Sequence, residues 1–239
     1  MTGDVLLAAI VLLGSSVQWL TGMGFALVCV PTLVLLLGPA QGVILANCAA
    51  GVICLVGLAG GLRLVRPRAM LPFCLAAACA VPAGSWVTHQ LPQSWLLLVM
   101  GGLVTVAVLL VMRGARTAAL HGTRGAVFAG AAGGFMNAAA GVGGPPFSLY
   151  AVNAGWTVRE FVPNAMFYGV IVNAFSVWSN GMPGLSRTQW VLVCAAMGAG
   201  GLIGKGLASR IPERRARLLV LLLALTGGVT TLGKGLWGL

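Results

Sequence analysis

Two apolar stretches of this sequence are too long to cross a lipid bilayer in one piece, and each is interrupted near its middle by glycine. A helix crossing a ~30 Å hydrocarbon layer needs about 20 residues. Six runs meet that length: 40–61, 69–88, 93–112, 160–180, 188–208 and 218–238. The regions 5–38 and 125–155 exceed it and are broken at Gly22-Met23-Gly24 and at Gly141-Val142-Gly143-Gly144-Pro145-Pro146. Each predicts a helix, a break and a short second helix. The second legs, 25–37 and 145–154, would be about 20 and 15 Å long at ~1.5 Å per residue, so each ends inside the membrane. Consecutive prolines at 145 and 146 suit a first helical turn, where the missing N–H has no intrahelical partner to lose.

Composition agrees with lipid as the solvent: 59% of the 239 residues are hydrophobic and 7% charged. Three acids and two histidines supply too little for a hydrolase or redox enzyme. Neither a Ser/His/Asp set nor a metal cluster falls at membrane depth, so no enzyme, cofactor or metal is expected. The six cysteines all lie in apolar runs and read as small core residues. Asp4 is the only charge before the first long run, so no cleaved signal peptide is expected.

A net charge of +11 would suggest nucleic acid in a soluble protein, but here the bases cluster between spans. Arg63, Arg66 and Arg68 form one group, Arg113, Arg116 and Arg124 a second, and Lys205, Arg210, Arg214, Arg215 and Arg217 a third. That is the pattern of cytoplasmic loops, and nucleic acid is not expected as a partner. With those loops inside, only Arg187 and Lys234 are left outside. Both chain termini then lie outside a cytoplasmic (inner) membrane, provided each broken region returns to the side it entered. The tryptophans fall mostly near span ends, as interfacial anchors do.

Sliding the chain by 117 residues superposes Gly38 on Gly155, Asn47 on Asn164 and Gly84 on Gly201. A two-residue adjustment brings Gly22 and Gly24 onto Gly141 and Gly143. The basic loop 61–68 then corresponds to the nearly uncharged loop 181–188, so the halves point in opposite directions. The expected fold is an all-α integral membrane protein of two inverted-topology repeats. Each repeat has a broken helical hairpin plus three transmembrane helices, over 1–112 and 125–239, with a cytoplasmic linker at 113–124. This is a secondary-transporter architecture.

The motifs resemble those of the TauE/SafE sulfite-exporter family, also called the toluenesulfonate uptake permease family. Gly22-Met23-Gly24-Phe25, Pro31-Thr32-Leu33 and Gly38-Pro39 are similar to its first-repeat signature. The run from Gly141 to Pro146, with Tyr150, Gly155 and Arg159, resembles its G-x-G-G-P-P-x-x-x-Y pattern, and Leu91-Pro92 extends the likeness. Asn47-Cys48 departs from it, standing where the family often has small hydroxyl residues. The resemblance implies transport of sulfite, sulfonates, sulfoacetate-like anions or related small carboxylates, mostly outward.

A helix broken inside lipid leaves backbone groups unbonded unless protein, water or ligand supplies partners. The N-terminus of each second leg would offer free N–H groups and about half a positive charge, together an anion site. The expected substrate-binding set is therefore Gly22, Met23, Gly24, Phe25, Gly141, Gly143, Gly144, Pro145 and Pro146 at the breaks. Side-chain donors Gln18, Thr21, Asn47, Asn137, Ser148, Asn164, Tyr168 and Asn173 would complete it, with Arg159 attracting anions at the cytoplasmic mouth. No carboxylate lies at mid-membrane to couple a proton or sodium ion. A potential of 100 mV, negative inside, drives each negative charge outward with about 2.3 kcal/mol, so export is the simpler expectation. An ion-coupled importer and a non-transporting scaffold are the alternatives. The expected partners are a small anion and the bilayer, and the chain works as a monomer or a homodimer.

Overall fold

The computed structural model describes residues 2–22, 24–113, 120–208 and 213–238. Met23, Arg116 and Arg210 lie outside the described residues, as do half of the 113–124 linker and the side chains of Arg214, Arg215 and Arg217. Among the described residues there are ten α-helices and no strand: α1 (Thr2–Thr21), α2 (Phe25–Leu37), α3 (Pro39–Ala59), α4 (Pro67–Gln90), α5 (Gln93–Met112), α6 (Gly122–Ala140), α7 (Gly144–Asn153), α8 (Val158–Asn180), α9 (Arg187–Ala208) and α10 (Glu213–Trp237). The short leg α2 has the expected bounds; α7 starts one residue before the first proline, at Gly144.

Among the described residues seven helices are long and apolar enough to cross a membrane: α1, α3, α4, α5, α8, α9 and α10. α6 is not among them, because its glycines together with Thr123, Arg124 and Asn137 lower its hydropathy. Glycine and alanine fill most of its length and serve packing. A Cβ on Gly134 would lie 2.6 Å from the Ala77 backbone of α4, so the two helices pack backbone to backbone. On the opposite flank Gly200 and Gly204 let α9 press against the carbonyls of Leu12 and Ser16 on α1. α4 with α6, α1 with α9, α5 with α10 and α3 with α8 are the most extensive helix pairs. Apolar side chains such as Leu55, Leu75, Val106, Leu202 and Leu222 point outward along the spans, as lipid-facing residues do.

Polar contacts sort the helix ends into two layers. At one end Asp4 meets Gln189 (3.1 Å), the Gly184 N–H donates to Gln41 (2.8 Å) and Ser94 donates to the Gly238 carbonyl (2.8 Å). At the other, Arg66 pairs with Glu160, and Lys205 lies 4.5 Å over the Trp19 ring. The first end therefore holds the start of α1 and the end of α10, while the second holds the arginine-rich turn around Leu62–Leu64. Both broken regions fold back to the end from which they entered: α2 leads into Gly38 and α3 near Gln41, and α7 ends beside the start of α8.

Candidate functional site

The two breaks are built alike. Gly22 turns out of α1 in the left-handed region (φ 76°), its N–H still donating to the Gln18 carbonyl at 2.8 Å. Gly141 turns out of α6 in the same way (φ 67°), its N–H donating to the Asn137 carbonyl at 2.9 Å. Glycine adopts this conformation without the Cβ penalty that other residues meet. In both, the side chain one turn before the glycine reaches over the break and caps the next helix. Gln18 Oε1 accepts the N–H groups of Gly24 (2.7 Å) and Phe25 (2.9 Å), and Asn137 Oδ1 accepts that of Gly143 (3.1 Å).

These caps amend the expectation of free N–H groups at both second legs. Three of the leading N–H groups already bond a side-chain oxygen. Pro145 and Pro146 carry none, so the first turn of α7 offers only those of Gly143 and Gly144. The two capping amides also differ in how firmly they are held. Asn137 Nδ2 donates to Asn173 Oδ1 (3.1 Å) and Ser176 Oγ (2.9 Å), while its carbonyl accepts from Asn47 Nδ2 (3.1 Å). Among the described residues Gln18 Nε2 has one oxygen partner, the Gly22 carbonyl at 3.2 Å, and two long sulfur contacts, Met166 Sδ (3.8 Å) and Cys54 Sγ (3.9 Å).

Both breaks border one cavity of ≈ 70 Å³. Gln18, Gly24, Ala26 and Leu27 line it from the first break, Asn137, Gly143, Gly144 and Pro145 from the second, and Cys54, Tyr168 and Asn173 from α3 and α8. Among the described residues no charged side chain lines it, and its size suits a small ion of a few heavy atoms. A second cavity of ≈ 120 Å³, lined by Thr21, Ser148, Trp156 and Phe161 among others, shares Leu27 and Pro145 with the first. Those two side chains stand between the chambers.

The structure brings together Gln18, Gly24, Asn137, Gly143, Gly144, Pro145, Tyr168 and Asn173 at the central cavity, and puts Thr21 and Ser148 on the wall of its neighbour. Gly22 and Gly141 form the bends, Phe25 is buried with its N–H capped, and Pro146 lines neither chamber. Asn47 and Asn164, matched in sequence, have different surroundings. Asn47 braces Asn137 and keeps a buried, unpartnered Oδ1, whereas Asn164 accepts the Arg66 N–H (2.9 Å) and donates to the Glu160 carbonyl (2.7 Å), away from the cavity. Arg159 is exposed, and it is the next residue, Glu160, that pairs with Arg66 and closes the capping box with Thr157.

Ser176, Cys54 and Met166 were not anticipated. The signal for Ser176 was a polar stripe, Asn173, Ser176 and Asn180, at helical spacing along α8. Tyr150, part of the sequence motif, packs edge-on against Phe73 (4.8 Å) and Trp156 (5.9 Å). Phe147 stacks on Tyr168 at 5.0 Å. Phe147 and Tyr150 thus fix α7 against its neighbours, and of these rings Tyr168 is the one that also lines the central cavity.

Comparison with protein families matches residues 6–231 to the model of Sulfite exporter TauE/SafE. The chain belongs to the TauE/SafE family. It is thus a multi-pass membrane protein of an anion-transporter family, with a small anion as the substrate class and the bilayer as its solvent. No curated protein and no solved structure matches it. In this TauE/SafE protein the glycine motifs are the two bends and helix starts described above, and the Pro-Pro pair opens α7.

Proposed function

We propose that this TauE/SafE protein exports a small organosulfur anion, such as sulfite, a sulfonate or a sulfoacetate-like compound, or a related carboxylate, by alternating access around the central cavity. The observation that carries the proposal is the meeting of two helix starts, from the two halves of the chain, at one cavity that no charged side chain lines among the described residues. N-terminal helix dipoles favour an anion without the tight hold of a buried arginine, which suits a substrate that must leave again.

The reading includes two inverted repeats, 1–112 and 125–239, joined by 113–124. The pairing of α4 with α6 and of α9 with α1 supports it, because exchanging the halves converts one pair into the other. Positive-φ glycines at matched places, Gly22 with Gly141 and Gly38 with Gly155, support it further. The arginine-rich end is assigned to the cytoplasm by the excess of basic residues there, so both termini face outward from the inner membrane. Anions then enter the chamber beside Trp156 and Phe161, with Arg159 exposed nearby, and pass Leu27 and Pro145 to the central cavity.

The test is efflux from proteoliposomes loaded with sulfite or a short sulfonate. Export down an imposed potential, negative inside and without a proton or sodium gradient, is the expected result. Accumulation that requires an inward proton or sodium gradient contradicts the assigned direction, and no anion movement under either condition contradicts transport.

A further inference from the structure

We propose that the Gln18 amide is a displaceable placeholder for the substrate, and that the anion is received at the start of α2 while the start of α7 stays permanently capped. This rests on the central cavity being the anion site and specifies which of its two helix starts does the binding. The evidence is a difference between two otherwise matched devices. Each capping amide accepts a backbone N–H six residues onward, yet one is braced and the other is not.

Asn137 uses both amide atoms and its backbone carbonyl in contacts from α3, α8 and its own break. Moving it would orphan Asn173 Oδ1 and the Gly143 N–H together, and the proline pair leaves little else at that helix start for an anion to bond. Gln18 is 5% exposed, has a longer side chain, and among the described residues gives its NH2 group one oxygen contact, at 3.2 Å, besides the two sulfurs. Its carbonyl holds two adjacent N–H groups, Gly24 and Phe25, a pair that can bond the oxygens of one oxyanion.

An ionised oxygen makes hydrogen bonds roughly twice as strong as a neutral carbonyl does. An arriving anion therefore outcompetes the amide oxygen at Gly24 and Phe25. Rotation of the freed amide carries Oε1 away from the N–H pair and leaves the anion as its acceptor. When the anion leaves, the carbonyl returns and the buried N–H groups are not left bare. The arrangement keeps the empty cavity stable while weakening the bound state by the strength of the displaced bonds, which favours release.

The test is binding of methanesulfonate, whose charge is constant across the pH range used, to the full chain in lipid nanodiscs by calorimetry. Gln18→Ala removes the competitor and is expected to tighten binding about tenfold, equivalent to ~1.4 kcal/mol, while lowering the unfolding temperature of the empty protein. Gln18→Glu tethers a permanent anion at the same N–H pair. It is expected to abolish binding at pH 7.5 and to regain it as the pH is lowered and the carboxyl is neutralised, a pH profile absent from wild type. Weaker binding in Gln18→Ala, with wild-type binding intact, overturns the placeholder role and makes Gln18 an ordinary donor. Should Gln18→Ala not fold, unimpaired binding by Gln18→Glu at pH 7.5 overturns it alone. Absence of binding in wild type overturns the cavity assignment and this inference with it.

Discussion

Replacing Asn137 with alanine probes the joint that lets α6 stop and α7 start inside the protein. The side chain makes three hydrogen bonds, to the Gly143 N–H, Asn173 Oδ1 and Ser176 Oγ, and is 3% exposed, so water does not replace them. Interhelical hydrogen bonds in membrane proteins contribute about 0.6 kcal/mol on average and about 1.7 at most. Three of them give roughly 2–5 kcal/mol. At about 2–4 °C per kcal/mol for a chain of this size, the unfolding temperature should fall by at least about 4 °C. Thermal unfolding in lipid nanodiscs, followed by tryptophan fluorescence, measures it. Asn173→Ala serves as the partner in a double-mutant cycle, and the two effects should be non-additive because they share a bond. A shift under about 1 °C for Asn137→Ala, or strict additivity with Asn173→Ala, would refute the claim that this amide holds the break.

Two further outcomes follow from the packing. Gly134→Ala forces a methyl to within 2.6 Å of the Ala77 backbone and should destabilise the α4–α6 contact by about 1–3 kcal/mol, while Gly198→Ala, with nothing within 4 Å, should be neutral or slightly stabilising; melting temperatures of the two variants compare them directly. Cys54 lines the central cavity and Cys29 does not, so in single-cysteine variants a small anionic thiol reagent should label Cys54 and leave Cys29 unmodified, with methanesulfonate slowing the labelling of Cys54; equal labelling at both, or no protection, would count against a substrate-accessible chamber.

The helical architecture was legible because the solvent dictates it: long apolar runs in lipid can only be helices, and glycine clusters inside over-long runs mark breaks. Gly38-Pro39 and the Pro145-Pro146 pair even set the helix limits to within a residue. The capping of the breaks was not legible. Gln18 and Asn137 were recognisable as polar groups beside a break, but whether an amide faces a ligand or folds over onto the next helix depends on the path of the backbone through two glycines. Asn47 and Asn164 show the same limit. They occupy matched positions in the sequence, yet Asn164 lies beside the arginine-rich turn and satisfies the Arg66 N–H there, while Asn47 faces the second break. Sequence register fixed their helical placement, and only the neighbouring helices decided their partners.

The most direct test of the central cavity is an experimental structure of the protein with selenite, a sulfite analogue whose heavy atom is located by anomalous scattering. The account predicts a selenium peak between the two breaks, within hydrogen-bonding reach of the Gly24 and Phe25 N–H groups and bordered by Cys54 and Tyr168. A peak confined to the arginine-rich loops at saturating selenite, with the central cavity empty, would contradict it.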